Sequence, residues 1–320
     1  MARIAVIGSG AVGCYYGALL VRAGHDVRFL MRRDLERARA TGLDVRSYLG
    51  DFRVDPCQAY GSSEDIGEVD WVLCSLKATA LDDAQRLIAP CIGRETRVVA
   101  LMNGLGIEDR LAASFEPWRV FGGMAFVGIN RDEAGVIHHL AAGRVSIGHF
   151  EDRPEENEHL RELLASGDIE VVVAPNLLYA RWEKLCWNVP FNGLSVAAGG
   201  LGTQAIMSNR LLREMAERAM REVVAAANAD LIAHRSEAQL DAEAVVEQLF
   251  VATEGLLDYK TSMLIDYQVG RELEVEAILG EPCRRAERLA VAAPTMKDLY
   301  TLVHAADLRR RGLIATADVE

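Results

Sequence analysis

The chain opens on an apolar run, Ile4-Ala5-Val6-Ile7, that passes directly into Gly8-Ser9-Gly10-Ala11-Val12-Gly13, then into a helix-forming stretch over residues 15–22 and a second strand-like run after Gly24. A strand, a G-x-G-x-x-G turn and a helix in that order form the first half of a βαβ unit that binds a dinucleotide. The three glycines are needed for different reasons. Gly8 permits the tight turn, Gly10 lets the backbone approach a pyrophosphate, and Gly13 lets helix and strand pack closely. The first N–H groups of the helix, around Ser9, Ala11 and Val12, face the phosphates. At the end of the second strand Met31 is followed by Arg32 and Arg33, and Asp34 comes too late for the acid that binds an unmodified ribose. Arg32 suits a 2′-phosphate, so NADPH/NADP is the expected cofactor.

The rest of the first half repeats the alternation. Residues 3–7, 26–31, 71–75, 97–101 and 120–127 read as strands rich in apolar residues and are separated by helical segments, the pattern of a parallel α/β sheet. Residues 43–55 alternate around Leu49-Gly50-Asp51 and predict a hairpin at the sheet edge. Two more strand ends supply polar residues to the crevice beyond a parallel sheet: Lys77 after the third main strand, and Asn103-Gly104 after the fourth. Further strand-like runs occupy residues 135–139, 144–147 and 169–173; the charged segment 151–162 between them reads as a surface helix. After Pro175 almost everything has helical periodicity, with Ser236-x-x-Gln239 and Thr295-x-x-Asp298 as expected caps. The expected architecture is therefore α/β, with a Rossmann-type dinucleotide-binding domain over residues 1–175 and an all-α substrate and catalytic domain over residues 176–320.

Composition narrows the partners. A formal net charge of −12 argues against a nucleic-acid or anionic-membrane binder. The six cysteines lack a C-x-x-C pair or a Cys/His cluster, so no metal is expected and the thiols read as reduced. With no leader-like start and no apolar stretch of the length a membrane span needs, the expectation is a cytoplasmic protein acting on a small molecule. The long helical runs around residues 211–231 and 244–250 would serve a homodimer surface as readily as a core.

The segment 179–197 reads as a helix rich in Trp182, Leu185, Trp187, Val189, Phe191 and Leu194. Lys184, Asn188, Asn192 and Ser195 recur along it at intervals of four, four and three residues, which places them in one narrow stripe. Polar groups embedded in an apolar helix need partners, and a small polar ligand would supply them. Pro190 would free a carbonyl and bend the segment. A second polar cluster spans Ser262-Met263-Leu264 to Arg271-x-x-Glu274, with Gly270 breaking two helical pieces.

Taken together, these motifs resemble the ketopantoate reductase family: the glycine turn, Lys77, Asn103-Gly104, Lys184 with Asn188 and Asn192, Ser262-Met-Leu and Arg271-x-x-Glu274 follow the family's order and approximate spacing over most of the chain. The Lys-x3-Asn-x3-Asn helix combined with S-M-L and R-x-x-E is the specific part. The resemblance implies reduction of 2-dehydropantoate to pantoate by NADPH, an oxidoreductase acting on CH–OH. It implies Lys184 as general acid and Glu274 as the group that holds the substrate's distal hydroxyl. By the same resemblance Ser262, Asn188 and Asn192 hold the substrate's carboxylate and hydroxyls, and Asn103 lies at the nicotinamide and substrate. The chain departs from the family at Leu273, Glu276 and Leu279, where members commonly carry a threonine, an aspartate and an asparagine, so another branched 2-oxo acid is the main alternative. A non-catalytic NADPH-binding sensor would not need Lys184 and Glu274. A hydroxy-acid dehydrogenase of the histidine-dependent type would need a histidine in one of the two polar clusters, and none of the seven is there.

Overall fold

The computed structural model describes residues 1–256 and 259–314, which form two compact units: Met1–Asn103 with Ile107–Ala180, and Gly104–Gly106 with the chain from Arg181 onward. In the first unit β1 (Arg3–Ile7) leads into α1 (Ala11–Arg22) and β2 (Asp26–Leu30), then α2 (Leu35–Thr41) and the hairpin β3 (Leu43–Ser47) and β4 (Phe52–Val54). There follow β5 (Ala59–Tyr60), β6 (Val69–Cys74), α3 (Ala84–Ile88), β7 (Ile92–Ala100), α4 (Ile107–Phe115), β8 (Val120–Arg131), β9 (Ile137–His149), α5 (Pro154–Ala165) and β10 (Val171–Val173). All ten strands join one sheet in the order β4-β3-β9-β8-β7-β6-β1-β2-β5, with β10 added to β9. The hairpin is antiparallel, with Leu43 opposite Val54, and sits at the sheet edge as expected.

Register explains why the predicted cofactor residues emerge together. Ile7 is level with Leu30 of β2 and with Cys74 of β6, and Cys74 is level with Ala100 of β7. These strands are parallel, so the loops that begin at Gly8, Met31, Ser75 and Leu101 leave the same edge of the sheet. The order reverses at β1, whose neighbours β2 and β6 lie on opposite sides, and that reversal opens the crevice where α/β sheets bind ligands.

The two predicted strands at 135–139 and 144–147 are one continuous β9, antiparallel to β8. The interruption that the sequence suggests at Leu140–Gly143 is a pair of register shifts, with Ala142 at φ 56° and Gly143 at φ 137°. Such bulges bend and twist the ribbon without ending it. β8 pairs with β7 only over Val120–Gly122, so the remainder of the β8–β9 ribbon runs on past the end of β7. The charged segment forms α5, whose Leu160, Leu163 and Leu164 are buried in the same core as Ile4, Val6 and Tyr16.

α6 (Leu177–Ala197) begins in the first unit. Among the described residues the second unit is helical: α7 (Thr203–Ser208), α8 (Arg210–Ala233), α9 (Ala242–Glu254), α10 (Ser262–Gln268), a π-turn at Glu276–Gly280, α11 (Glu281–Arg288) and α12 (Pro294–Arg310). Phe191 and Leu194 of α6 pack with Ala216, Ala219 and Met220 of α8, Val246 and Phe250 of α9, and Leu299 of α12. The apolar faces of α8 and α9 thus make a core within the unit.

Both expected caps are corrected. The N-cap of α9 is Asp241, which accepts from Glu243 and Ala244 N–H, while Ser236 Oγ accepts from Ala238 N–H in the preceding loop. At α12, Thr295 lies inside the helix, and its N–H and that of Met296 donate to the two carboxylate oxygens of Glu222 on α8. A carboxylate from a neighbouring helix satisfies the orphan donors that a local cap would otherwise take.

Candidate active site

In the first unit the glycine turn is fixed by the backbone. Gly8 has φ 102°, and a Cβ on it would lie 2.5 Å from the carbonyl carbon of Ser75; a Cβ on Gly13 would collide with the Gly8 carbonyl oxygen. Only glycine fits either place. A Cβ on Gly10 would meet nothing within 4 Å, and no side chain caps α1, so no side chain competes with an anion for its first N–H groups. The Ser9 hydroxyl donates to the Leu30 carbonyl at 2.7 Å and binds the turn to the end of β2; Ser9 therefore has its main-chain N–H, not its hydroxyl, for a phosphate. Ala11 and Val12 open α1.

Arg32 and Arg33 are exposed where the chain leaves β2. Asp34 lies 3.0 Å from Arg131 and 3.5 Å from Arg37. Sequence reasoning missed Arg131, whose Nη1 donates to the Ser9 carbonyl at 2.6 Å. Lys77 is exposed at the head of the short helical turn Ala78–Asp83, and Asn103 is half-buried in the loop after β7. Behind the turn, the Tyr15 hydroxyl of α1 and the Ser47 hydroxyl of β3 both lie 2.9 Å from Nδ1 of His139 on β9, and His139 Nε2 faces the Ala142 carbonyl at 2.8 Å. A ring nitrogen facing a carbonyl must donate, so Nδ1 accepts from the hydroxyls. Burial pushes the Tyr15 hydroxyl up to about 12 and holds the His139 ring below its ordinary value, so this network is neutral. Burial likewise pushes the Cys14 thiol up to about 12, against the pull of Arg131, so Cys14 is an inert packing group whose Sγ contacts the Ser9 carbonyl.

In the second unit α6 aims the polar stripe, because two indoles fix its rotation. Trp182 Nε1 donates to Asp230 of α8 at 2.8 Å, a carboxylate that also accepts from Arg285 of α11 at 2.9 Å. Trp187 Nε1 donates to Thr253 Oγ1 of α9 at 3.0 Å. Both anchors lie on faces away from the stripe, and between them the stripe is set into the unit. Lys184 is half-buried, whereas Asn188, Asn192 and Ser195 are only 4%, 1% and 0% exposed. Pro190 sits inside the helix, which continues through it.

The structure brings the stripe and the S-M-L segment together: Asn192 Oδ1 accepts from the Met263 N–H at 3.4 Å, next to exposed Ser262, the first residue of α10. Thr261 caps that helix through Leu264 N–H. Asn188 Nδ2 and Ser195 Oγ are buried and have no hydrogen-bond partner among the described residues. Two orphaned polar atoms on one stripe are what a binding surface for a small polar molecule retains. Glu274 is buried just ahead of the π-turn, its carbonyl accepting from Ile278 N–H at 3.1 Å. The π-turn presents the Ala277 carbonyl to the Leu105 N–H at 2.9 Å, which fixes the Gly104–Gly106 loop.

The three departures from the resemblance lie beside Glu274 and within the π-turn. Leu273 and Leu279 are buried. Glu276 is exposed, and its carboxylate accepts from Tyr300 Oη at 2.8 Å and Arg284 Nη1 at 2.7 Å.

Comparison with known proteins identifies the family. Residues 4–152 match the family described as Ketopantoate reductase PanE/ApbA, and residues 176–307 match Ketopantoate reductase PanE/ApbA C terminal. A 2-dehydropantoate 2-reductase from Nostoc sp. is 34% identical over 99% of this chain and 98% of its own length. A crystal structure of 2-dehydropantoate 2-reductase from Geobacter metallireducens superimposes with a TM-score of 0.91 at 39% identity, covering 95% of this chain and 99% of the other. A ternary structure of D-mandelate dehydrogenase with NADH and anilino(oxo)acetate has a TM-score of 0.87 over 97% of this chain and 99% of the other; at 21% identity it shares the fold. None of the helices among the described residues is long and apolar enough to cross a membrane, and no group of three or more metal-ligating side chains occurs among them.

Proposed function

The chain belongs to the ketopantoate reductase family, and on that premise we propose that it reduces 2-dehydropantoate to (R)-pantoate with NADPH, a step of pantothenate biosynthesis. The observation that carries the reading is the stripe on α6: a half-buried lysine followed by two buried asparagines and a buried serine, of which Asn188 Nδ2 and Ser195 Oγ find no hydrogen-bond partner among the described residues.

NADPH supplies a hydride to the substrate's 2-keto carbon; the chain supplies the rest. Negative charge grows on the keto oxygen as the hydride arrives, and the Lys184 ammonium stabilises it and delivers the proton that completes the alcohol. Asn188 and Asn192 orient the carboxylate and hydroxyl groups from the next turns of the same helix, and Ser262 does so from the start of α10. Glu274 accepts from the distal hydroxyl. Burial of Asn188, Asn192 and Glu274 excludes water and strengthens their contacts. In the first unit the glycine turn, Lys77 and Asn103 hold the cofactor, and Arg32 meets its 2′-phosphate. A cytoplasmic location belongs to this reading, supported by six free cysteines, five of them buried.

The test is NADPH oxidation followed by absorbance with 2-dehydropantoate, 2-oxoisovalerate and other branched 2-oxo acids. Turnover of 2-dehydropantoate well above the others is expected. Preference for a different acid would keep the chemistry and replace the substrate, and NADPH binding without turnover of any acid would sink the enzymatic reading.

A further inference from the structure

The segment after β2 carries charges that pull in opposite directions. Arg32 and Arg33 favour a 2′-phosphate, yet Asp34 follows them directly, and its carboxylate repels a phosphate bound there. The β8–β9 ribbon answers this. Because it runs on past the end of β7, its last β8 residue, Arg131, reaches the glycine turn: Nη1 donates to the Ser9 carbonyl at 2.6 Å, and Nη2 lies 3.0 Å from Asp34 Oδ2. The Arg131 side chain is 15% exposed. Its contact with Asp34 is Coulombic, since Nη2 is buried and out of line for a hydrogen bond to any described residue. Arg37 faces the same carboxylate at 3.5 Å.

We propose that Arg131 is the positioning residue that makes this site selective for NADP(H) over NAD(H), an inference that rests on the cofactor reading above. It compensates the Asp34 charge and draws that carboxylate towards the ribbon, so that the arginines at the end of β2 set the local potential. The same guanidinium holds the Ser9 carbonyl, which couples the glycine turn to the ribbon. Without Arg131, the Asp34 carboxylate loses its closest cation. Repulsion of a 2′-phosphate rises, whereas an uncharged ribose 2′-hydroxyl meets no such repulsion.

Dissociation constants for NADPH and NADH, read from dihydronicotinamide fluorescence, test this on the wild type, Arg131→Met, Asp34→Asn and the double variant. Wild type is expected to prefer NADPH. Arg131→Met reduces that preference by about tenfold or more, Asp34→Asn retains it, and the double variant recovers most of it because the uncompensated carboxylate is gone. Equal weakening of both cofactors in Arg131→Met, or a double variant that recovers nothing, would overturn the proposal. So would a loss of NADPH preference in Asp34→Asn, which leaves Arg131 in place. Equal affinity of the wild type for the two cofactors would instead remove the NADPH reading itself, and this inference with it.

Discussion

The glycine turn of the first unit and the polar stripe of the second prepare for their ligands by opposite means. Around the turn the side chains are already engaged: the Ser9 hydroxyl is bonded to Leu30, and the Ser9 carbonyl takes both the Cys14 thiol and Arg131. What remains for a ligand is main chain, held by glycines at positions 8 and 13 that tolerate no Cβ. Along the stripe the main chain is consumed by the helix, and what remains is side chain, including the orphaned Asn188 Nδ2 and Ser195 Oγ. The turn is therefore specified by shape and the stripe by chemistry. Substitutions should divide accordingly: at the turn they damage folding and cofactor binding together, and on the stripe they separate stability from catalysis.

Lys184→Ala should give the largest effect. Loss of a positioned proton donor is expected to lower turnover about a hundredfold to ten-thousandfold while NADPH affinity stays at the wild-type value. Steady-state kinetics together with fluorescence titration would check both halves. A parallel loss of NADPH affinity would mean that the stripe serves the cofactor as well, and the division between the two regions would fail.

Gly8→Ala ranks second. At φ 102°, with the Ser75 backbone 2.5 Å from the new Cβ, the variant should lose about 1–3 kcal/mol of stability from backbone strain, more if the contact cannot relax. NADPH affinity should fall with it, because the turn that presents the first N–H groups of α1 must shift. Urea unfolding with and without NADPH would measure the two losses side by side. An unchanged midpoint would show that the turn is softer than its geometry implies.

These two regions also show what a sequence reveals and what it conceals. Gly8, Gly10 and Gly13 are legible because their pattern is local, strand, turn and helix lying within a few residues of one another, although the backbone that excludes a Cβ at Gly8 is that of distant Ser75. The stripe is legible because helical periodicity converts intervals of four and three residues into one face. Arg131 is not, since its partners Ser9 and Asp34 lie far back in the chain, and only the overhang of β8 beyond β7 brings them within reach. Glu222 stays hidden for the same reason: the cap of α12 comes from α8, whereas a reading along the chain finds only the nearby Thr295. The break expected within β9 arises because Ala142 and Gly143 look like a turn, and the antiparallel ladder to β8 absorbs their positive φ angles as bulges. Nor does the sequence show which residues around Glu274 are covered: Leu273, Glu274 and Leu279 are buried, whereas Glu276 is exposed.

The smallest effect is the most discriminating, because its sign is opposite to that of an ordinary core truncation. Ser195 Oγ is fully buried without a partner among the described residues, so the folded state carries the desolvation cost of a hydroxyl that the unfolded state leaves in water. Ser195→Ala removes that cost and leaves only the space of one oxygen, so a gain of about 1 kcal/mol is expected. Asn192→Ala is the control: it strands the Met263 N–H, which the asparagine now satisfies at 3.4 Å, and should destabilise by a similar amount. Thermal and chemical unfolding of both variants would establish the signs. If Ser195→Ala is stabilised and its KM for the 2-oxo acid rises, the hydroxyl is held unpaired in favour of the substrate. If it is stabilised and KM does not move, Ser195 is only a defect in the packing of α6, and the chemistry of the stripe narrows to Lys184, Asn188 and Asn192.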